Sequence, residues 1–153
     1  MTEGTTKAAK AAATSFEVRQ SIEIAAPRER VFELVATPEG VAKWGPYTTF
    51  EPRVGGRFDF QKDEWHATGE IVEIDPPRVV AYTWDWLNQP LGQRTEVRFE
   101  LEERGDGTVL HLIHTGLPSD EQQQSHNHGW EHYAGRVKDV AEGRDPGPDT
   151  MGE

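Results

Sequence analysis

Cysteine is absent from this chain of 153 residues. That excludes a disulfide framework, a thiolate nucleophile and Cys-ligated zinc. Positive charge is scarce: 16 Lys and Arg stand against 27 Asp and Glu, for a formal net charge of −11. Phosphates and anionic headgroups are gripped by clustered cations, so this balance argues against nucleic acid and membrane surfaces as partners. Long apolar runs are missing too, and none approaches the roughly 20 residues of a membrane span. The first residues, "MTEGTTKAAKAAAT", contain no apolar stretch of the secretory kind. A cytoplasmic protein is the expectation.

Hydrophobic residues make up 35% of the chain and charged ones 28%. The polarity concentrates at the ends. Residues 1–14 are small and polar, and residues 143–153, "GRDPGPDTMGE", hold two prolines and three glycines. Both ends are expected to be solvated, disordered tails, because neither can bury enough apolar surface to order itself. Between them, residues 16–142 have the size of one domain with one core.

Along that domain the periodicity changes twice. "FEVRQSIEI" alternates as a strand. "AAPRERVFELVATPEGVAKW" follows, with Pro27 at a helix start and Val31, Phe32, Leu34 and Val35 on one helical face. Pro38 divides it, giving two short helices. From residue 47 to 117 the signals are strand and turn. Phe58 and Phe60 share a face, as do Val80, Tyr82, Trp84 and Trp86, and then Val97, Phe99 and Leu101. "KDE" and "RGDG" mark hairpins. In "GTVLHLIHTGL", Leu110, Leu112 and His114 lie on one side, and His111 lies on the other, toward solvent. After Pro118 the period becomes helical: Ser119 is a suitable N-cap, and His126, Trp130, Tyr133, Ala134, Val137 and Ala141 recur on one face. A curved sheet cannot cover its own concave side, so this last helix is expected to lie across it.

The ordered segments "IEIAAPRERVFELVATPEGVAKW", "VGGRFDF", "GEIVEIDPPRVVAYTW", "TEVRFELEERGDGTVLHLIHTGL" and "HNHGW" resemble the SRPBCC, or START-like, superfamily. Within it they are similar to the branch named after the C-terminal domain of the activator of the ninety-kilodalton heat-shock-protein ATPase (AHSA-type). The resemblance spans residues 16–142. It implies an α+β helix-grip fold: a curved antiparallel sheet around a long C-terminal helix, with two short helices after the first strand. It also implies a choice of roles, from lipid carriage and aromatase/cyclase work to hormone sensing and chaperone stimulation. Fold alone does not decide among these. The segment between Phe60 and Gly69 is shorter than the family pattern, at what would be the cavity mouth.

The candidate site follows from the aromatic content. Phe60, Tyr82, Trp84, Trp130 and Tyr133 are expected to pack on an apolar molecule between sheet and helix, with His114 and His126 meeting its polar end. The same aromatics could instead fill the core, and His114 could instead be a buried strand-end histidine bonded within the protein. Residues 44–47 and 87–93 are expected to gate the opening. His128 and His132 stand four apart on the last helix, a spacing that can ligate a metal, yet no further ligand accompanies them and no metal is expected. Adjacent carboxylates such as Asp63 and Glu64 diverge and form no acid/base dyad. There is no GxSxG elbow, and "VGGRF" is a sheet bend rather than a phosphate cradle. The expectation is therefore a binder of a hydrophobic small molecule, without catalytic residues or cofactor. The alternatives are a cyclase- or hydrolase-like enzyme using His114 in the same cavity, and an interaction protein with a chaperone as partner.

Overall fold

The computed structural model describes residues 15–151. Strand β1 (Phe16–Ile24) is followed by helices α1 (Arg28–Ala36) and α2 (Pro38–Val41). Strands β2 (Tyr47–Phe50), β3 (Arg57–Lys62), β4 (Trp65–Asp75), β5 (Val79–Thr83), β6 (Asp85–Trp86), β7 (Glu96–Arg104) and β8 (Gly107–Leu117) come next. Helix α3 (Asp120–Ala141) closes the domain. The strands form one antiparallel sheet in the order β1-β8-β7-β5-β4-β3-β2, with β6 paired to β4. This is the helix-grip architecture.

Alternation along the strands sets the inner face. Val97, Phe99 and Leu101 of β7 are buried, as are Leu110, Leu112 and His114 of β8. Each such aliphatic or aromatic side chain contributes about 1.5–3 kcal/mol when fully buried. His111, on the other side of β8, faces outward and bonds Ser21 and Glu102. At the centre of the sheet β4 changes partner. Its first half pairs with β6 and its second with β5, and Gly69 sits at the change, where a Cβ would lie 2.0 Å from the Thr83 carbonyl oxygen.

The short helices form a tight corner. Thr37 caps α2 by accepting from the Gly40 N–H at 2.9 Å, and the Trp44 indole donates to the Leu34 carbonyl at 2.7 Å. Helix α3 starts at Ser119, whose hydroxyl accepts from the Gln122 N–H. Its buried face consists of His126, Trp130, Tyr133, Ala134, Val137 and Ala141, the face expected from the spacing. Polar clasps along β1 hold it in place: Gln20 donates to Asn127, Gln123 to the Glu17 carbonyl, and Lys138 to the Glu23 carbonyl.

Residues 143–151 depart from the expectation of a solvated tail. Arg136 donates to the carbonyls of Pro146, Gly147 and Pro148, and Asp149 accepts from His132 at 2.9 Å and Tyr133 at 2.8 Å. Met151 packs on the core. Charge-assisted hydrogen bonds and the Met151 contact together hold the segment down. The other expected tail, residues 1–14, lies outside the described residues.

Candidate functional site

Between the β3–β4 end of the sheet and the first half of α3 lies a cavity of about 490 Å³. Its walls are aromatic: Phe60 from β3, Trp65 from β4, Trp84 and Trp86 around β6, and Trp130 and Tyr133 from α3. Neighbouring rings stand edge to face. Trp84 meets Trp86 at 90° and Trp130 at 60°, and Phe60 meets Tyr133 at 85°. Polar lining comes from the Lys62–Glu64 hairpin, from Gln89, and from Gln122, Ser125, His126 and His128 of α3, and Met151 also lines the space. The lining is mostly apolar with a few polar groups, as small-molecule sites usually are.

Of the seven residues expected at the site, Phe60, Trp84, His126, Trp130 and Tyr133 line the cavity; Tyr82 and His114 do not. Tyr82 is fully buried, its ring 4.6 Å from Phe58 and its hydroxyl 2.7 Å from that of Tyr47. Burial pushes both of these phenols well above their ordinary range. His114 is likewise fully buried, in ring contact with Trp84, His126 and Trp130. Alternation identified the correct face for both residues but could not tell depth along it. Trp65 and Trp86 are the additions. Aromatic content marks both as possible lining residues in so polar a domain, and the shared face of Val80, Tyr82, Trp84 and Trp86 points to Trp86 as well.

The histidines sit in a determined hydrogen-bond network. An indole N–H can only donate. His114 Nδ1 therefore accepts from Trp130 Nε1 at 3.0 Å, which leaves Nε2–H to donate to Thr95 Oγ1 at 2.9 Å. The Thr95 hydroxyl in turn donates to the Trp84 carbonyl. His126 takes the opposite tautomer: Nε2 accepts from Trp86 Nε1 at 3.0 Å and Nδ1–H donates to the Gln122 carbonyl at 2.8 Å. Both rings are neutral in this arrangement. Burial pushes the His114 pKa well down, and the neighbouring His126 adds to that. Burial also lowers His126, opposed by its bond to the Gln122 carbonyl. With both nitrogens of each ring occupied, neither histidine is placed to meet a ligand's polar end or to exchange a proton with it.

Tyr133 donates to Asp149 on the C-terminal segment. Burial first, and then the carboxylate, push its pKa far up. Burial works to raise Asp149 itself, but bonds from the Met151 N–H, Tyr133 and His132 outweigh it and hold the carboxyl below its usual range. Among the described residues no three His, Asp or Glu side chains converge as metal ligands. The expected gate is half present: Gln89 reaches the cavity, but Trp44 and Tyr47 are buried against the α1–α2 corner and do not line it. Behind the wall, the Trp84 indole nitrogen is buried with no hydrogen-bond partner among the described residues.

A curved antiparallel sheet gripping a C-terminal helix above an aromatic cavity defines a START-like domain. Residues 25–142 match the family model described as "Activator of Hsp90 ATPase homolog 1-like protein", and the chain belongs to that family. It is similar to an AHSA1-like protein of Rhizobium etli solved in solution, with 39% identity over 90% of this chain and 88% of that one and a TM-score of 0.70. It is also similar to CalU16 of Micromonospora echinospora, with 29% identity, coverage of 80% and 73%, and a TM-score of 0.63. DynU16, a protein of the dynemicin biosynthetic locus, shares the fold at 21% identity and a TM-score of 0.73, over 85% of this chain and 49% of that one. No curated protein matches the chain. No helix among the described residues is long and apolar enough to cross a membrane.

Proposed function

We propose that this protein is a cytoplasmic binder of a hydrophobic small molecule held between the sheet and α3. The observation that carries the reading is the aromatic cavity itself. Six rings line a half-open space of about 490 Å³, the concave and mostly apolar form of a small-molecule site. An apolar occupant of that space gains the contacts its walls otherwise lack. Binding is favoured over an acid/base enzyme because the two buried histidines have every nitrogen occupied by protein partners.

A neutral apolar fluorophore, N-phenyl-1-naphthylamine, tests this directly. It is expected to bind one-to-one and to quench tryptophan emission. Gly129 lines the cavity, and a Cβ there meets nothing within 4 Å. Gly129→Leu is therefore expected to keep the fold and to weaken the fluorophore by tenfold or more. Native mass spectrometry of freshly purified protein is expected to show a retained small molecule. Absence of fluorophore uptake by the wild type would mean that the rings close on one another in solution, and the reading would fail.

A further inference from the structure

Of residues 143–151 only Met151 lines the cavity. The chain reaches it by two turns, at Gly143 (φ 86°) and Gly147 (φ 75°), both in the left-handed region that glycine occupies without strain. The second turn is well anchored. Arg136 donates to the carbonyls of Pro146, Gly147 and Pro148, and the Gly147 N–H donates to Asp145. Residues 149–151 are tied more sparely. Among the described residues, their polar bonds to the rest of the domain all belong to one side chain: Asp149 accepts from His132 at 2.9 Å and from Tyr133 at 2.8 Å. The Met151 N–H bonds back to that same carboxylate.

This tip forms part of the cavity wall. Met151 packs on the core and lines the space, yet it remains partly exposed, so it stands between the cavity and solvent. A methionine side chain is flexible and polarizable and refits readily against aromatic rings, which suits a wall that moves. The residue that holds the latch belongs to the wall as well, because Tyr133 lines the cavity and its hydroxyl binds Asp149. A surface segment without helix or strand, pinned by two side-chain bonds, opens at a small fraction of the cost of global unfolding. The other walls lie on strands and on α3, and moving them would break the core.

Resting on the binding reading above, we propose that residues 149–151 are a latched cover of the cavity, pivoting at Gly147, with Asp149 as the latch and Met151 as the covering side chain. A bound molecule leaves when the latch opens. Asp149 thus acts through the position of Met151 and touches no ligand itself.

Met1 and Met151 are the chain's two methionines, so ¹³C-methyl methionine labelling of the full chain reports directly on the cover. In the wild type the Met151 methyl is expected away from the free-methionine position, shifted by the cavity rings, and to move again when N-phenyl-1-naphthylamine binds. In Asp149→Ala it is expected to return to the free position, and release of the fluorophore, followed by stopped-flow fluorescence, should become about fivefold faster or more. Met151→Ala leaves the Asp149 bonds intact and is expected to speed release too, which a change confined to the Tyr133 hydroxyl would not do. A Met151 methyl that stays displaced in Asp149→Ala would overturn the latch. Release within about twofold of wild type in both variants would overturn the cover and leave the cavity reading standing. A wild type that takes up no fluorophore would overturn both.

Discussion

Acid should destabilise this protein well before its carboxylates titrate, and His114 is the reason. An unfolded histidine takes up a proton near pH 6.5. Folded His114 resists it, being buried with Nδ1 already accepting from Trp130. Below pH 6.5 the unfolded state thus holds more protons than the folded one. Stability is fully present above that pH and falls as the pH drops toward the depressed folded value. For one histidine that stays neutral in the fold, the slope approaches the one-proton limit of about 1.4 kcal/mol per pH unit. Each unit of acidification in that window is a sizeable share of the roughly 5–15 kcal/mol that holds a domain folded. His126, shifted the same way, adds to it. The carboxylates held low, Asp59, Glu102, Glu142 and Asp149, have ordinary values of 3.8 to 4.5 and contribute their losses below that window. Urea unfolding followed by circular dichroism at pH 7.5, 6.5, 5.5 and 5.0 measures the slope. In His114→Gln the amide can accept from Trp130 and donate to Thr95 but does not titrate, so the curve should flatten by one histidine's share. In His114→Leu the Trp130 N–H is orphaned, which costs about 1–3 kcal/mol even at pH 7.5. If His114→Gln keeps the wild-type slope, or if stability rises on acidification, the buried neutral histidine is not what the structure describes.

Three further outcomes are expected. Trp130→Ala should lose about 3–5 kcal/mol, whereas Glu131→Ala, on the exposed side of α3, should stay within about 0.5 kcal/mol of wild type; chemical denaturation compares them. Gly135→Ala should stabilise by about 1 kcal/mol through helix propensity, since its Cβ meets nothing within 4 Å. Gly40→Ala should cost about 1–3 kcal/mol, because its Cβ would lie 2.0 Å from the Glu33 carbonyl oxygen, and thermal melts should move in opposite directions for the two.

What was legible in the sequence was whatever a period records. The alternation of β7 and β8 placed Phe99, Leu112 and His114 on the inner face, and the helical spacing after Ser119 picked out the six residues that α3 buries. Periodicity names a face and is silent on depth. Tyr82 and Trp84 share a face two residues apart, yet only Trp84 reaches the cavity. The mouth was misplaced toward Trp44 and Tyr47 because a loop's reach depends on tertiary packing, here the indole bond to Leu34. The docking of residues 143–151 was invisible for another reason. It rests on Arg136 and Asp149 finding partners across a turn of chain, and no composition rule distinguishes a solvated Asp from a bonded one. The histidine tautomers, too, depend on which indole each ring meets, a fact of three dimensions.

The sheet order also bears on how the molecule is made. Among the described residues β1 has a single strand neighbour, β8, with Ile24 opposite Thr108 and Phe16 opposite Leu117. The first strand leaves the ribosome and must wait for the last. At roughly 5–20 residues per second, the interval between Ile24 and Leu117 lasts roughly 5–20 s. Helix α3, which covers the concave face, is made later still. For that time the growing chain carries the inner face of β3–β7 without its cover and β1 without its ladder, a state that invites pairing with other chains. The charged residues along β1, Glu17, Arg19 and Glu23, are of the kind that discourages such pairing at an unpaired strand edge.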